Sequence, residues 1–271
     1  MNRNRKVHSI DSRTVESLKA RILDWGNQFG ILAFFDSNTY SSRYDGYECI
    51  VGIGAQRIAN CGTLDELQDF HSTHPDWMFG HICYEFKDVL EPKLNSAKEV
   101  VHGFPLLQFF VPETVICINR TATEMTIETF GDPDSILAQI ELFEIADRGE
   151  IPRVNFTQSI SRDTYLGTID QLRTHIAYGD CYEINYCIGA SAHCHGLDAV
   201  SVFRKLNELS PAPFAAYYKL HEKHLLCASP ERYLMKKGNK LLSQPIKGTA
   251  PRGATKMQDE TNRGNLLAEI K

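Results

Sequence analysis

Apolar residues recur at helical spacing along residues 11–25, where Val15, Leu18, Ile22 and Trp25 share one face and Gly26 follows as a stop. The unbroken run Ile31-Leu32-Ala33-Phe34-Phe35 predicts a buried strand, and residues 47–53 predict another. Thr63 and Glu66 form a capping-box pattern ahead of Leu67 and Phe70. Residues 77–84 read as a core strand that runs into the polar stretch 85–98. Three further strands are expected at 106–111, 114–119 and 124–130, and their short links favour antiparallel pairing. Asp134 is expected to cap a helix carrying Ile136, Ile140 and Phe143, with Gly149 and Pro152 ending it.

Turn-forming residues interrupt this periodicity at 147–154, which makes the best internal boundary and divides the chain into 1–150 and 151–271. Beyond it, Asp163 is expected to cap a helix with Leu166, Ile169, Leu172 and Ile176 on one face, and Gly179-Asp180 to end it. Ile184, Tyr186, Ile188, Ala190 and Ala192 then alternate as in a half-buried strand, with Glu183 and Asn185 at its start. Val200, Phe203 and Leu206 predict another helix, residues 212–219 another strand, and 256–271 a polar helix that turns apolar towards Lys271. Runs of strands followed by helices give an α+β class: largely antiparallel layers with helices outside.

With 271 residues there is room for one large domain or two. The net charge of −5 argues against a general nucleic-acid binder. No apolar stretch reaches membrane-spanning length and the basic start lacks an apolar signal core, so a cytoplasmic protein is expected. Eight cysteines are scattered without a CxxC pair, which removes zinc-ribbon spacing. His193-Cys194-His195 is a local cluster with metal-binding residue types, but neighbours on a strand point to opposite faces. Gly52 and Gly54 are only a fragment of a dinucleotide fingerprint, because Ile58 stands where a third glycine belongs.

The chemistry concentrates near Lys247. Pro245 precedes it and Gly248 follows, so strand pairing stops and the backbone is free to approach a ligand. Arg252 and the amides of Gly248 and Thr249 add an anion-favouring neighbourhood. Upstream, two apolar runs flank Gly238-Asn239 as in a β-hairpin. A two-residue loop pairs Lys237 with Lys240 and sets Glu231 opposite Ile246; a three-residue loop with a bulge sets it opposite Lys247. Either way a carboxylate and an amine meet at the open end of one hairpin. That is an acid/base and nucleophile pair, or equally a cross-strand ion pair.

Ser229-Pro230-Glu231-Arg232-Tyr233 followed by Pro245-Ile246-Lys247-Gly248-Thr249 resembles the chorismate-utilising enzymes, and within them component I of aminodeoxychorismate synthase. Gly179-Asp180-Cys181-Tyr182-Glu183-Ile184-Asn185, Ala212-Pro213-Phe214 and Ser41-Ser42-Arg43-Tyr44 are similar to the same family, in the same order. The related anthranilate synthases typically carry alanine at the position of Lys247.

The resemblance implies a two-domain sandwich, with residues 1–150 as the N-terminal domain and 151–271 as the first part of the chorismate-binding domain. It implies amination of chorismate to 4-amino-4-deoxychorismate, with ammonia supplied by a glutamine amidotransferase subunit. Lys247 would be the nucleophile, Glu231 the general acid and base, and Gly248 and Thr249 would help place a substrate carboxylate. Relatives hold tryptophan near segments matching Ser42, Arg43, Tyr44, Pro213 and Phe214. Magnesium is implied, but the family's metal-binding motifs are expected beyond Lys271, so this chain alone is expected to be inactive and to leave apolar surface uncovered. An anthranilate or isochorismate synthase, or a non-catalytic module binding an amidotransferase or effector, is the alternative.

Overall fold

In the computed structural model, which describes residues 5–11, 15–40, 44, 46–94, 102–145, 149–246 and 250–268, the run that begins at Ile31 lies inside the main sheet. The strands in chain order are β1 (Lys6–Asp11), β2 (Ile31–Asp36), β3 (Tyr47–Ile53), β4 (Arg57–Ala59), β5 (Phe79–Ile82), β6 (Leu107–Val111), β7 (Thr114–Asn119) and β8 (Glu124–Thr129). They continue with β9 (Thr157–Gln158), β10 (Ala190–Ser191), β11 (Phe214–Leu220), β12 (Lys223–Ser229), β13 (Arg232–Lys237) and β14 (Lys240–Gln244). The helices are α1 (Val15–Gly26), α2 (Leu64–Thr73), α3 (Lys87–Leu90), α4 (Pro133–Leu142), α5 (Arg162–Tyr178), α6 (Ala199–Leu209) and α7 (Lys256–Ala268).

Seven strands form one antiparallel sheet in the order β1-β8-β7-β3-β2-β11-β12. The fold is α+β, as the strand and helix runs predict. β2 is buried on both faces, which is why its sequence shows no alternation. Its Ile31 and Ala33 join a cluster with Phe79, Phe110, Val115 and Tyr218 that faces a second sheet, β4-β6-β5. On the other face α1 buries Leu18, Ile22, Leu23 and Trp25, and Phe34 meets Phe203 of α6 edge-on at 6.1 Å. Gly52 serves this packing: a Cβ there would lie 2.8 Å from the Phe79 ring. That accounts for a glycine that looks like part of a nucleotide fingerprint.

Several expectations are corrected. β6 does not pair with β7; it pairs with β4 and β5 in the smaller sheet, because the chain passes from one sheet to the other at Pro112, a residue with no N–H to donate. The cap of α4 is Asp132, whose carboxylate accepts from the Ser135 amide at 3.1 Å, and Asp134 sits in the first turn. Ser161, not Asp163, caps α5 and accepts from the Thr164 amide at 3.1 Å. The Thr63 cap of α2 forms as expected, while Glu66 reaches back one residue further, to the Gly62 amide at 2.7 Å. Gly179 closes α5 in the left-handed region at φ 83°. The alternating stretch 184–192 forms a strand only at Ala190–Ser191, which pairs with β9.

The chain forms two compact units, Met1–Ile145 with Phe203–Lys271, and Ala146–Val202. In the second, α5 buries none of its residues, and Phe156, Tyr182, Ile184 and Ile188 are exposed. In the first, Tyr233, Leu234 and Leu241 of the β13-β14 hairpin are exposed as well.

Candidate functional site

The β13-β14 hairpin turns at Gly238, φ 58°, and pairs Lys237 with Lys240, so the two-residue loop read from Gly238-Asn239 forms. The register does not run on from there. A bulge between Arg232 and Met235 shifts it, and Arg232 pairs with Gln244. Extended one step, that register sets Glu231 abreast of Pro245 rather than of Ile246 or Lys247. The extra residue lies in β13, which moves Glu231 opposite to the direction that a longer loop would give. Glu231 is exposed; its amide donates to Ser229 Oγ at 3.3 Å, and that hydroxyl donates to the Glu231 carbonyl at 3.1 Å. Lys247, Gly248 and Thr249 lie outside the described residues, as do Ser42 and Arg43.

Just beyond, the first turn of α7 holds the chain. Asp259 accepts from the Gly253 amide at 2.9 Å and pairs with Arg252 at 2.8 Å. The charge of Arg252 is therefore shared with a carboxylate rather than left wholly to an anion. Asn262 donates to the Pro251 carbonyl at 2.8 Å.

A cavity of about 660 Å³ opens between the hairpin and strands β2, β3 and β11. Tyr44, Pro213 and Phe214, three of the five residues singled out for an effector, line it together. So do Asp36, Glu48 and Arg232. Arg232 lies over the Phe214 ring at 4.8 Å and donates to Gln244 Oε1 at 3.0 Å, so it joins the cavity to the hairpin that carries Glu231.

Beneath this cavity lies a charged group that sequence reasoning missed. Lys19 of α1 reaches Asp36 Oδ1 at 3.0 Å and Glu48 Oε1 at 2.5 Å. Ser37 Oγ donates to Glu48 Oε2 at 2.5 Å, and the Asn38 and Thr39 amides donate to Asp36 and Glu48 at 3.0 and 2.8 Å. Burial alone would lower the Lys19 pKa, but Asp36 and Glu48 outweigh it and hold the ammonium charged. Burial raises the Asp36 carboxyl, and the attraction of Lys19 offsets this only in part. The available signal was a charged residue at an inward position of each apolar pattern: Lys19 beside Leu18 on α1, Glu48 beside Cys49 on β3.

Glu183 and Asn185 are exposed on the smaller unit, in a stretch without regular structure. Magnesium prefers near-octahedral oxygen ligands. Among the described residues, the group of three candidate ligands is Cys83, Glu85 and His102, which offers one sulfur, one oxygen and one nitrogen. That donor set does not suit magnesium.

Comparison with known proteins places the chain in a family. Residues 22–271 match the model of the chorismate binding enzymes, and the chain belongs to that family. Anthranilate synthase component 1 of Thermus thermophilus is 27% identical over 257 residues, covering 82% of this chain and 55% of the relative. Aminodeoxychorismate synthase component 1 of Klebsiella aerogenes is 29% identical over 152 residues, covering 56% of this chain and 34% of the relative. The chain thus spans about half the length, or less, of these relatives. The menaquinone-specific isochorismate synthase MenF of Escherichia coli shares the fold, with a TM-score of 0.59 at 15% identity, over 98% of this chain and 59% of MenF.

Proposed function

We propose that the protein is an aminodeoxychorismate synthase component I, which replaces the 4-hydroxyl of chorismate by an amino group on the way to p-aminobenzoate and folate. The observation that carries this is the lysine at 247 within Pro245-Ile246-Lys247-Gly248-Thr249, where the resembled anthranilate synthases typically have alanine. Relatives named for the same activity support it, among them the Klebsiella aerogenes protein. In this reading residues 1–150 are the N-terminal domain and 151–271 the first part of the chorismate-binding domain. The protein works in the cytoplasm; among the described residues no helix is long and apolar enough to cross a membrane.

The neutral Lys247 amine bonds to the chorismate ring as the C4–O bond breaks, and Glu231 gives the departing hydroxyl a proton, so that water leaves. Ammonia from a glutamine amidotransferase subunit then bonds at C4 and expels the lysine, with Glu231 taking up the spare proton. Gly248 and Thr249 position a substrate carboxylate through their amides. Magnesium, when bound, neutralises carboxylate charge; the described residues do not fit it, so its ligands belong to the part of the family fold outside them. Tryptophan occupies the cavity lined by Tyr44, Pro213 and Phe214, and Ser42 and Arg43 take part in holding it.

An ordinary lysine is neutral in only about one molecule in 2,500 at pH 7, so the reaction requires a site that favours the free amine. Lys247→Ala should abolish the covalent adduct seen by mass spectrometry of the complete enzyme quenched with chorismate. Lys247→Arg should not restore turnover, because arginine keeps charge without offering a neutral amine. Near-normal turnover with arginine would make Lys247 an electrostatic clamp and end the covalent mechanism. An anthranilate or isochorismate synthase is the second reading, favoured by the Thermus thermophilus relative over 82% of the chain. Chromatography of the product formed from chorismate and ammonia separates the two.

A further inference from the structure

The end of β5 carries a set of side chains that the proposed chemistry does not use. Cys83 follows the strand directly, and its amide donates to the Leu106 carbonyl at 2.8 Å, carrying the β5-β6 ladder one residue on. The chain then turns, with the Phe86 amide donating to the Cys83 carbonyl at 3.0 Å, and this brings Glu85 back beside the thiol. His102 arrives from the other direction. Its Nδ1 accepts from the Phe104 amide at 3.1 Å, and Phe104 packs on the core cluster. One ligand atom from each of Cys83, Glu85 and His102 lies within 4.8 Å of the others.

We propose that Cys83, Glu85 and His102 form a binding site for one borderline-soft divalent cation, Zn2+ by its donor set. His102 Nε2 and Glu85 Oε2 are 3.6 Å apart, too long for a hydrogen bond. That spacing is close to the roughly 3.4 Å edge of a tetrahedron whose metal–ligand distances are about 2.1 Å. Closing the remaining separations to such edges takes about 1 Å of side-chain movement, and Glu85 and His102 both lie partly in solvent, where they are free to turn. A sulfur, a nitrogen and an oxygen on one short loop-and-strand frame are the ligands that zinc prefers. Three protein ligands leave a fourth position for water.

A second observation lies beside the cluster. His81, on the same face of β5 as Cys83, shares the Pro105 carbonyl with it: His81 Nε2 lies 2.8 Å from that oxygen and Cys83 Sγ 3.2 Å. A carbonyl accepts only, so the neutral His81 ring carries its proton on Nε2 and shows a bare lone pair at Nδ1. Among the described residues that Nδ1 is buried with no partner, and so is the Tyr218 hydroxyl, whose ring stands 5.3 Å from that of His81. Buried polar atoms are normally satisfied, so an orphan on β5 beside another on β11 marks a polar component that the described residues do not supply.

Binding at His102 Nε2 moves the ring proton to Nδ1 and gives up the Phe104 amide bond, while the thiol proton goes to solvent. The metal ties the turn after β5 to the segment that leads into β6. It is independent of Lys247 and Glu231.

The test is a titration of the chelator-stripped 271-residue protein with Co2+, followed by displacement with Zn2+. The expected result is one Co2+ per chain with thiolate-to-metal charge-transfer absorption, lost on adding Zn2+. Cys83→Ser should abolish that absorption, and Glu85→Gln and His102→Ala should each weaken affinity at least ~10-fold. Cys194→Ser should change nothing. No charge-transfer band at saturating Co2+ overturns the site, and so does a band that survives in Cys83→Ser, since it would belong to another cysteine. Should Cys83→Ser fail to fold, Glu85→Gln decides: unchanged affinity there removes the site.

Discussion

Replacing Lys19 by methionine isolates the charge of the buried Lys19–Asp36–Glu48 group from its volume, since methionine keeps most of the apolar stem. The three residues are 4%, 7% and 2% exposed, so water cannot take over the role of the ammonium. Two carboxylates and one ammonium carry a net charge of −1; without Lys19 the same space holds two carboxylates and no cation. Removing one partner of a buried ion pair typically costs about 3–5 kcal/mol. The hydroxyl of Ser37 and the amides of Asn38 and Thr39 remain as donors and keep the loss within that range. Against a total stability of about 5–15 kcal/mol, this is a large fraction.

The dependence on pH distinguishes charge from packing. Burial raises the Asp36 carboxyl above its ordinary value, with Lys19 the main opposing influence. A carboxyl raised on folding binds its proton more tightly in the folded state. It therefore favours the fold below the unfolded pKa and loses that benefit as pH rises through the folded value. Deleting Lys19 raises the folded value further and widens the window. The deficit of Lys19→Met should be greatest near pH 7.5 and shrink as pH falls towards about 4, as the Asp36 carboxyl takes up its proton in the fold. Urea unfolding of both proteins across that range measures it. A deficit below about 1 kcal/mol at pH 7.5, or one that does not change with pH, would refute the reasoning.

Two further outcomes follow from burial and from the cavity. Cys187 is exposed, whereas burial pushes the Cys117 thiol up to about 12 and raises Cys49 as well; iodoacetamide at pH 8 should label Cys187 in the folded protein and reach Cys49 and Cys117 only after denaturation, as read by peptide mass mapping, and equal native labelling would contradict the packing. If tryptophan occupies the cavity lined by Tyr44, Pro213 and Phe214, calorimetry should register its binding and Phe214→Ala should weaken it at least ~10-fold; no heat at high tryptophan concentration removes that role from the cavity.

Elements with a strong period were legible: α1 from Val15, Leu18, Ile22 and Trp25, and β2 from its unbroken apolar run. Caps were read two residues late on α4 and α5, and the cause is electrostatic. An acidic residue is favoured both as a cap and in the first turn near the positive end of the helix, so Asp134 and Asp163 carry the same signal as true caps. The alternation at 184–192 met the pattern of a strand, but a strand needs a partner, and among the described residues β9 offers two positions. β6 shows the reverse case: its strand character was legible, its sheet was not, because nothing in 107–111 says which edge it will meet. The family motifs carried the chemistry, while Lys19, Asp36 and Glu48 escaped because they stand in three separate segments and become a group only when α1, β2 and β3 pack.

The hairpin marks the limit most sharply. Gly238-Asn239 determines the loop, since a left-handed residue at the turn selects two-residue closure, and Lys237 duly pairs with Lys240. From there to Glu231 the register depends on whether the ladder stays regular, and a slip of one residue reverses the face of every side chain beyond it. The slip occurs where Arg232 leaves the regular ladder to lie on Phe214 and to bond Gln244. Those partners stand 18 residues before and 12 residues after Arg232, too far for turn chemistry to report. The position of the Glu231 carboxylate is therefore determined by packing at the cavity wall, not by the turn. The same arginine touches both the cavity and the ladder.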